Sequence, residues 1–302
     1  MLVDVALHGD VFRSDYGGDA GVRRDILEWL AWFLRLHGVL VFADASERDA
    51  LFHLVEGLPS HQKTIWTDLL STLPSRSCDA GFRASEATED DLFRVSDTVG
   101  HLIAPRGCLG ARRPPGVVLC DAGVPPLVRD LVARSTMRVR RGDDREELWR
   151  RVFEPLARNS RKVVVFDPYA TKRPSLDGLL WFLAHLAGMG KRVDVEVFTA
   201  YRSKLEIACI EERLPSVLAR GSGVASLRVR WWARREWVHD RYLRFESMKL
   251  NRIVELSSSM DVFSERKDFT LVYRGPGDQY LEVLRDQEVC LSRRKPKHAL
   301  SR

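Results

Sequence analysis

Apolar positions along this chain switch repeatedly between a two-residue and a three-to-four-residue period, and the switches mark out its elements. Leu2 to Leu7 has the short apolar character of a strand. From Asp19 to His37 the residues Ile26, Trp29, Leu30, Phe33 and Leu34 recur at helical spacing, which predicts a strongly amphipathic helix. Gly38 stands in the C′ position that ends it. Val39 to Phe42 is apolar throughout, as in a strand buried on both faces, and the run closes at Asp44. Glu47 to Gly57 and Ser60 to Leu73 are then predicted helices, Ser75 to Thr88 a polar surface loop, and Asp90 to Ile103 a further helix. Arg106 to Pro115 is a connection rich in glycine, proline and arginine, and Gly116 to Asp121 (GVVLCD) a second buried strand ending in a carboxylate.

The charged segment Arg134 to Asp144 leads into a predicted helix, Arg145 to Arg158, and a domain boundary is expected between Gly142 and Ser160. Arg161 to Tyr169 reads as a buried strand stopped by Pro168, and Leu176 to Gly188 as a helix with Leu179, Leu180, Leu183 and Leu186 inward. Val193 to Thr199 is a predicted strand and Ser203 to Leu218 a helix. Four further strands follow, Leu227 to Trp232, Val238 to Phe245, Arg252 to Leu256 and Phe269 to Tyr273, then a helix from Gln279 to Asp286. The segment Leu291 to Arg302 has basic residues and no acidic ones, and a mobile tail is expected.

With 302 residues there is chain enough for two hydrophobic cores. The strand–helix alternation predicts an α/β protein, with a Rossmann-like α/β domain over residues 1–150, a second α/β domain over 151–290 and a basic tail over 291–302. The composition, 45% hydrophobic and 30% charged, is that of a globular protein, so a disordered or collagen-like chain is excluded. No apolar stretch is long enough for a transmembrane helix and no signal peptide opens the chain, so a cytoplasmic protein is expected. The cysteines, Cys78, Cys108, Cys120, Cys209 and Cys290, are scattered without a CxxC pair, which predicts reduced thiols and no zinc site. The net charge of +6 favours an anionic partner: nucleic acid, a phosphorylated ligand or an acidic membrane surface.

The segment Trp237 to Glu246 (WVHDRYLRFE) carries the chemistry. His239 and Arg241 are two residues apart, so a strand turns both to one face. Asp240 and Tyr242 face the other way, as structural and core residues. Glu246 follows five residues after Arg241, and Ser257-Ser258-Ser259-Met260-Asp261 comes shortly afterwards. This register resembles the phospholipase-D-like superfamily, whose motif is His-x-Lys-x4-Asp followed by Gly/Ser-Ser-x-Asn. The form HDRY especially resembles the phospholipase-D-like C-terminal domain of MIT-domain proteins and related bacterial proteins. The likeness spans Arg161 to Asp286 and implies a phospholipase-D-like mixed-sheet α/β domain.

The resemblance also implies roles. His239 would be the nucleophile, Arg241 the clamp on non-bridging phosphate oxygens, and Glu246 the carboxylate that orients the imidazole. Ser258, Ser259, Asp261 and Arg244 would bind phosphate. No metal or other cofactor is required for that chemistry. A chain with one motif needs a second histidine as general acid, which implies a symmetric homodimer. The implied function is a nuclease or nucleic-acid-processing protein, in bacterial relatives of this design often one that defends against phage. Arg241 in place of lysine, Glu246 in place of aspartate and Asp261 in place of asparagine depart from the family pattern. They support an alternative, a non-catalytic module that binds phosphate groups of nucleic acid, nucleotide or lipid as a subunit of a larger system.

Three other patterns compete. His61-Gln62-Lys63-Thr64-Ile65-Trp66-Thr67-Asp68 spells His-x-Lys-x4-Asp without departure, making His61, Lys63 and Asp68 a candidate second site. Against it, Ile65, Leu69 and Leu70 have helical spacing with Ser60 as N-cap, and on a helix His61 and Lys63 point about 200° apart. Asp4, Asp44, Asp121 and Asp167 end strands, where carboxylates hold a divalent metal in PIN-like nucleases; the stronger reading is that each caps the following turn. Basic residues interleave with Trp231, Trp232 and Trp237 between Arg228 and Arg244, either as a base-stacking surface or as core tryptophans beside a solvated edge.

Overall fold

The computed structural model describes residues 2–12, 20–78, 83–99, 101–105, 117–119, 136–201, 203–233, 240–248, 250–264, 268–275 and 279–302. The chain divides into two compact units, Leu2–Ala133 and Arg134–Arg302. The division falls ahead of the stretch between Gly142 and Ser160, because Thr136–Val139 is a strand of the second unit's sheet.

The first unit is built on β1 (Val3–Leu7), β2 (Gly38–Phe42), β3 (Ser75–Ser77), β4 (Leu102–Ala104) and β5 (Val117–Leu119). They pair in the order β3-β2-β1-β4-β5, all in parallel. The helices α1 (Ala20–His37), α2 (Ala45–Glu56), α3 (Ser60–Thr72) and α4 (Glu89–Val99) come between strands, as the alternation predicts. β2 is buried at every position, in keeping with its unbroken apolar run. The expected helix from Asp90 to Ile103 is in fact two elements. Leu102, Ile103 and Ala104 leave α4 for the sheet, where a three-residue apolar run is fully buried.

The second unit holds β6 (Thr136–Val139), α5 (Arg145–Leu148), a π-helical turn (Trp149–Phe153), α6 (Glu154–Arg158), β7 (Lys162–Phe166), α7 (Ser175–Gly188) and β8 (Val193–Tyr201). It continues with α8 (Lys204–Leu218), β9 (Val224–Ala233), β10 (Tyr242–Glu246), β11 (Asn251–Leu256), a 3-10 turn (Met260–Ser264), β12 (Phe269–Arg274), α9 (Gln279–Ser292) and β13 (His298–Ser301). Eight strands form one mixed sheet in the order β13-β9-β8-β7-β10-β11-β12-β6. β7, β8 and β9 run parallel, and the other pairings are antiparallel.

The two faces of this sheet differ. On one, Tyr242, Phe166, Phe198 and Trp232 stack across β10, β7, β8 and β9, with ring centroids 4.7, 5.8 and 5.0 Å apart. Each such pair is worth about 0.5–1.5 kcal/mol beyond the area it buries. Leu284 and Leu291 of α9 complete that cluster. On the other face Phe245 meets Phe153, which packs with Phe182 of α7 and with Phe263.

The expected mobile tail is ordered structure. α9 continues to Ser292, and β13 pairs with β9 at His298↔Trp231 through Ser301↔Arg228. Half-buried His298 and Leu300 alternate with exposed Ala299 and Ser301, a strand pattern hidden by the neighbouring basic residues. Among the described residues no helix is long and apolar enough to cross a membrane.

Candidate functional site

The parallel strand β7 ends at Phe166, and the next residue, Asp167, is fully buried at the carboxyl edge of the sheet. Its carboxylate receives the Ser259 hydroxyl at 2.5 Å, the Met260 amide at 2.8 Å and the Tyr169 amide at 2.8 Å. Ser259 Oγ also lies 2.7 Å from Ser175 Oγ at the start of α7. Burial pushes the Asp167 carboxyl above the ordinary carboxylate range, while Ser259, the two amides and the charge of Arg241 pull in the other direction. The turn that delivers Ser259 and Met260 depends on a glycine. A Cβ at Gly178 of α7 would stand 1.8 Å from the Met260 carbonyl oxygen, so only glycine lets helix and turn approach this closely.

Arg241 reaches the same edge from the antiparallel neighbour. In register, Tyr242 faces Phe166, which sets Arg241 beside Asp167 on the opposite face from Tyr242. The Arg241 carbonyl accepts from the Leu256 amide at 2.8 Å, and the guanidinium lies 5.2 Å from the centre of the Tyr169 ring. Its Nε is buried without a hydrogen-bond partner, and among the described residues no carboxylate is within ion-pair distance. Level with Asp167 on β8, the Thr199 hydroxyl is likewise buried and unpartnered. The edge therefore holds a buried guanidinium nitrogen and a buried hydroxyl with unused hydrogen-bonding capacity, beside a carboxylate that accepts three hydrogen bonds and has an acceptor site left.

The sequence-predicted residues distribute as follows. Arg241 and Ser259 come together around Asp167, and Ser258 donates to Asp261 at 3.2 Å in the adjoining turn. His239 lies outside the described residues, as do Arg234, Arg235 and Trp237. Arg244 and Glu246 do not join the site. Their positions on β10 have the parity of Tyr242, so they face α9, where Arg244 binds Glu288 through Nε at 2.8 Å and through Nη2, and also binds Glu246. Glu246 also stands at the far end of the strand, opposite Lys162. Asp240 accepts from Gln287 of α9 at 2.8 Å, and Tyr242 donates to the Leu284 carbonyl, as expected of structural residues.

The competing patterns resolve in the same way. His61, Lys63 and Asp68 lie on α3, with Pro59 rather than Ser60 in the N-cap position. His61 is half-exposed near Glu28, and Asp68 accepts from Arg35 at 2.7 Å. Asp4 holds Arg76, and Asp44 caps α2 by accepting from the Glu47 amide. Asp121 lies outside the described residues, among which no group of three potential metal ligands assembles. Trp231 and Trp232 are fully buried, while Arg230 pairs with Glu196 at 2.7 Å. Cys78, Cys209 and Cys290 are free thiols.

Ser175, Thr199 and Tyr169 were not singled out by sequence. Tyr169 belongs to the strand-stopping Asp167-Pro168-Tyr169, but nothing local ties Ser175 or Thr199 to residues on distant strands.

No protein-family model matches the chain, and no curated protein does. Among solved structures, the phosphatidylserine synthase of Haemophilus influenzae superposes with a TM-score of 0.33 and 13% identity, covering 55% of this chain and 39% of that one. TrmBL2, an archaeal chromatin protein with a novel mode of DNA binding, superposes with a TM-score of 0.27 and 7% identity, covering 55% and 57%. The chain thus spans less than two thirds of either structure.

Proposed function

We propose that the unit Arg134–Arg302 handles phosphate esters at the Arg241 edge of its sheet, as a phospholipase-D-like phosphodiesterase acting on nucleic acid. The observation that carries this reading is the Arg241 guanidinium, which rests on Tyr169 with a buried, unpartnered Nε. Arg241 as a whole is only partly buried, no carboxylate neutralises it among the described residues, and a guanidinium of this kind binds phosphate through paired hydrogen bonds. His239, two residues earlier in the sequence, is the proposed nucleophile. Asp167 takes the place in the site that Glu246 was expected to fill, and Ser259 contributes by holding Asp167. The second histidine required as general acid comes from a second copy in a symmetric dimer. The net charge of +6 supports a polyanionic substrate.

One observation favours a second reading, phosphate binding without cleavage. Glu246 is committed to Arg244 on the far face, so the carboxylate of the sequence motif is not available to orient an imidazole.

Cleavage of labelled single- and double-stranded DNA and RNA, with and without EDTA, tests the proposal. Hydrolysis that survives EDTA and disappears in both His239→Ala and Arg241→Ala is the expected result. Salt-sensitive binding that needs Arg241 without cleavage would establish the second reading. Neither binding nor cleavage would remove both.

A further inference from the structure

Apart from the Arg241 cluster, a cavity of about 470 Å3 opens on the same sheet edge. Tyr201, the last residue of β8, forms one wall, and Lys204, Ile207 and Glu211 line another from one face of α8. Lys297 and His298, at the start of β13, close the third side. The segment is held in place by the Lys297 amide, which donates to the Trp231 carbonyl at 2.7 Å, and by the His298 ring, 5.3 Å from that of buried Trp231. The cavity lies at the carboxyl end of parallel strands, where open α/β sheets receive their ligands.

Its chemistry is divided. Tyr201 and Ile207 make an apolar wall, and the Lys297 ammonium sits 4.7 Å from the Tyr201 ring centre. Glu211 adds a carboxylate to the lining, 3.8 Å from His298 Nε2, and among the described residues neither the Lys204 nor the Lys297 ammonium group forms an ion pair. The first turns of α8 add the positive end of a helix dipole to the same side.

We infer that this cavity binds a nucleoside phosphate, the aromatic base against Tyr201 and Ile207 and the phosphate between Lys204 and Lys297. That ligand combines a flat apolar body with a compact anion, which is what the two walls and the unpaired ammonium groups complement. The site is independent of Arg241, which lies two strand positions away, about 10 Å across the sheet. A free nucleotide and one unit of a single strand share this chemistry.

Calorimetric titration of the full chain with AMP, adenosine, inorganic phosphate and tetrathymidylate tests the inference. AMP should bind at least about tenfold more tightly than either of its parts, and Lys204→Ala and Lys297→Ala should each weaken it about fivefold to tenfold. Arg241→Ala should leave AMP binding unchanged. Lys204 is a helix surface residue, so its variant reports even if Lys297→Ala loosens β13. If tetrathymidylate weakens in the lysine variants as AMP does, the natural ligand is a strand; an effect confined to AMP identifies a free nucleotide, and either supports the site. AMP binding unaffected by both lysine variants, or no tighter than phosphate, overturns it. AMP binding lost only in Arg241→Ala also overturns the cavity, while leaving the function proposed for Arg241 standing.

Discussion

Arg241, the residue before β10, and Arg244, in the middle of that strand, are three residues apart, and they illustrate two uses of a cation set into a sheet. Arg244 faces α9, is only 5% exposed, and is enclosed by Glu288 and Glu246. Arg241 faces α7, with a buried Nε that has no partner and an aromatic ring beneath its guanidinium. A buried ion pair with filled hydrogen bonds has nothing left to offer a ligand, whereas an unfilled donor is a standing cost that a bound anion removes. The difference separates scaffold from site more sharply than distance along the chain.

The comparison breaks most visibly in stability. Arg244→Met should destabilise the second unit by about 3–5 kcal/mol, because it strands two carboxylates, Glu288 among them nearly buried. Arg241→Met should change stability by no more than about 1 kcal/mol, since no paired group is left behind. Urea denaturation of the two variants beside the wild type measures both. Equal losses would show that Arg241 has a structural partner and would remove the distinction between the two arginines.

A smaller effect concerns Asp167, whose folded-state pKa burial raises above the usual value of about 3.9. The protonated form is therefore favoured in the folded state. Its contribution is fully present below the unfolded value and is lost as pH rises through the folded value. Asp167→Asn cannot titrate, so wild-type stability relative to this variant should fall as pH rises from about 4 and then level off. Thermal melts of both proteins between pH 4 and 8 give the difference curve. A flat curve would mean that Ser259, Met260 and Tyr169 compensate fully for burial. Arg241→Met should shift the falling portion upward in pH, because the nearby positive charge favours the carboxylate.

The sequence carried much of this arrangement, and its failures have identifiable causes. β2, β7, β8 and the helices between them were legible because long apolar runs and helical spacing leave little choice of element. β4 was absorbed into a helix because three apolar residues have no period. β6 and β13 were missed because they are short and lie among arginines and lysines that resemble solvated segments, and only pairing with β12 and β9 makes them strands. The side chains of β10 were partly readable. Residues of odd and even number alternate between faces, so Glu246 and Arg244 could have been assigned away from Arg241 by parity alone. The grouping of Asp167 with Ser175 and Ser259 was not readable, because it joins residues up to 92 positions apart through the close approach that Gly178 permits.

The smallest effect sharpens the comparison from outside the second unit. His61 and Lys63 reproduce the spelling of a phosphate motif, yet they stand on α3 as exposed side chains on diverging faces. If phosphate binding follows from an unfilled donor held at a sheet edge, rather than from spelling, these residues contribute nothing to it. The double variant His61→Ala/Lys63→Ala should keep wild-type affinity for single-stranded DNA at physiological salt and wild-type stability to within about 0.5 kcal/mol. Arg241→Ala in the same titration should weaken binding about tenfold. A loss in the α3 variant as large as that at Arg241 would mean that the first unit supplies a phosphate contact, and the sheet edge could no longer account for recognition alone.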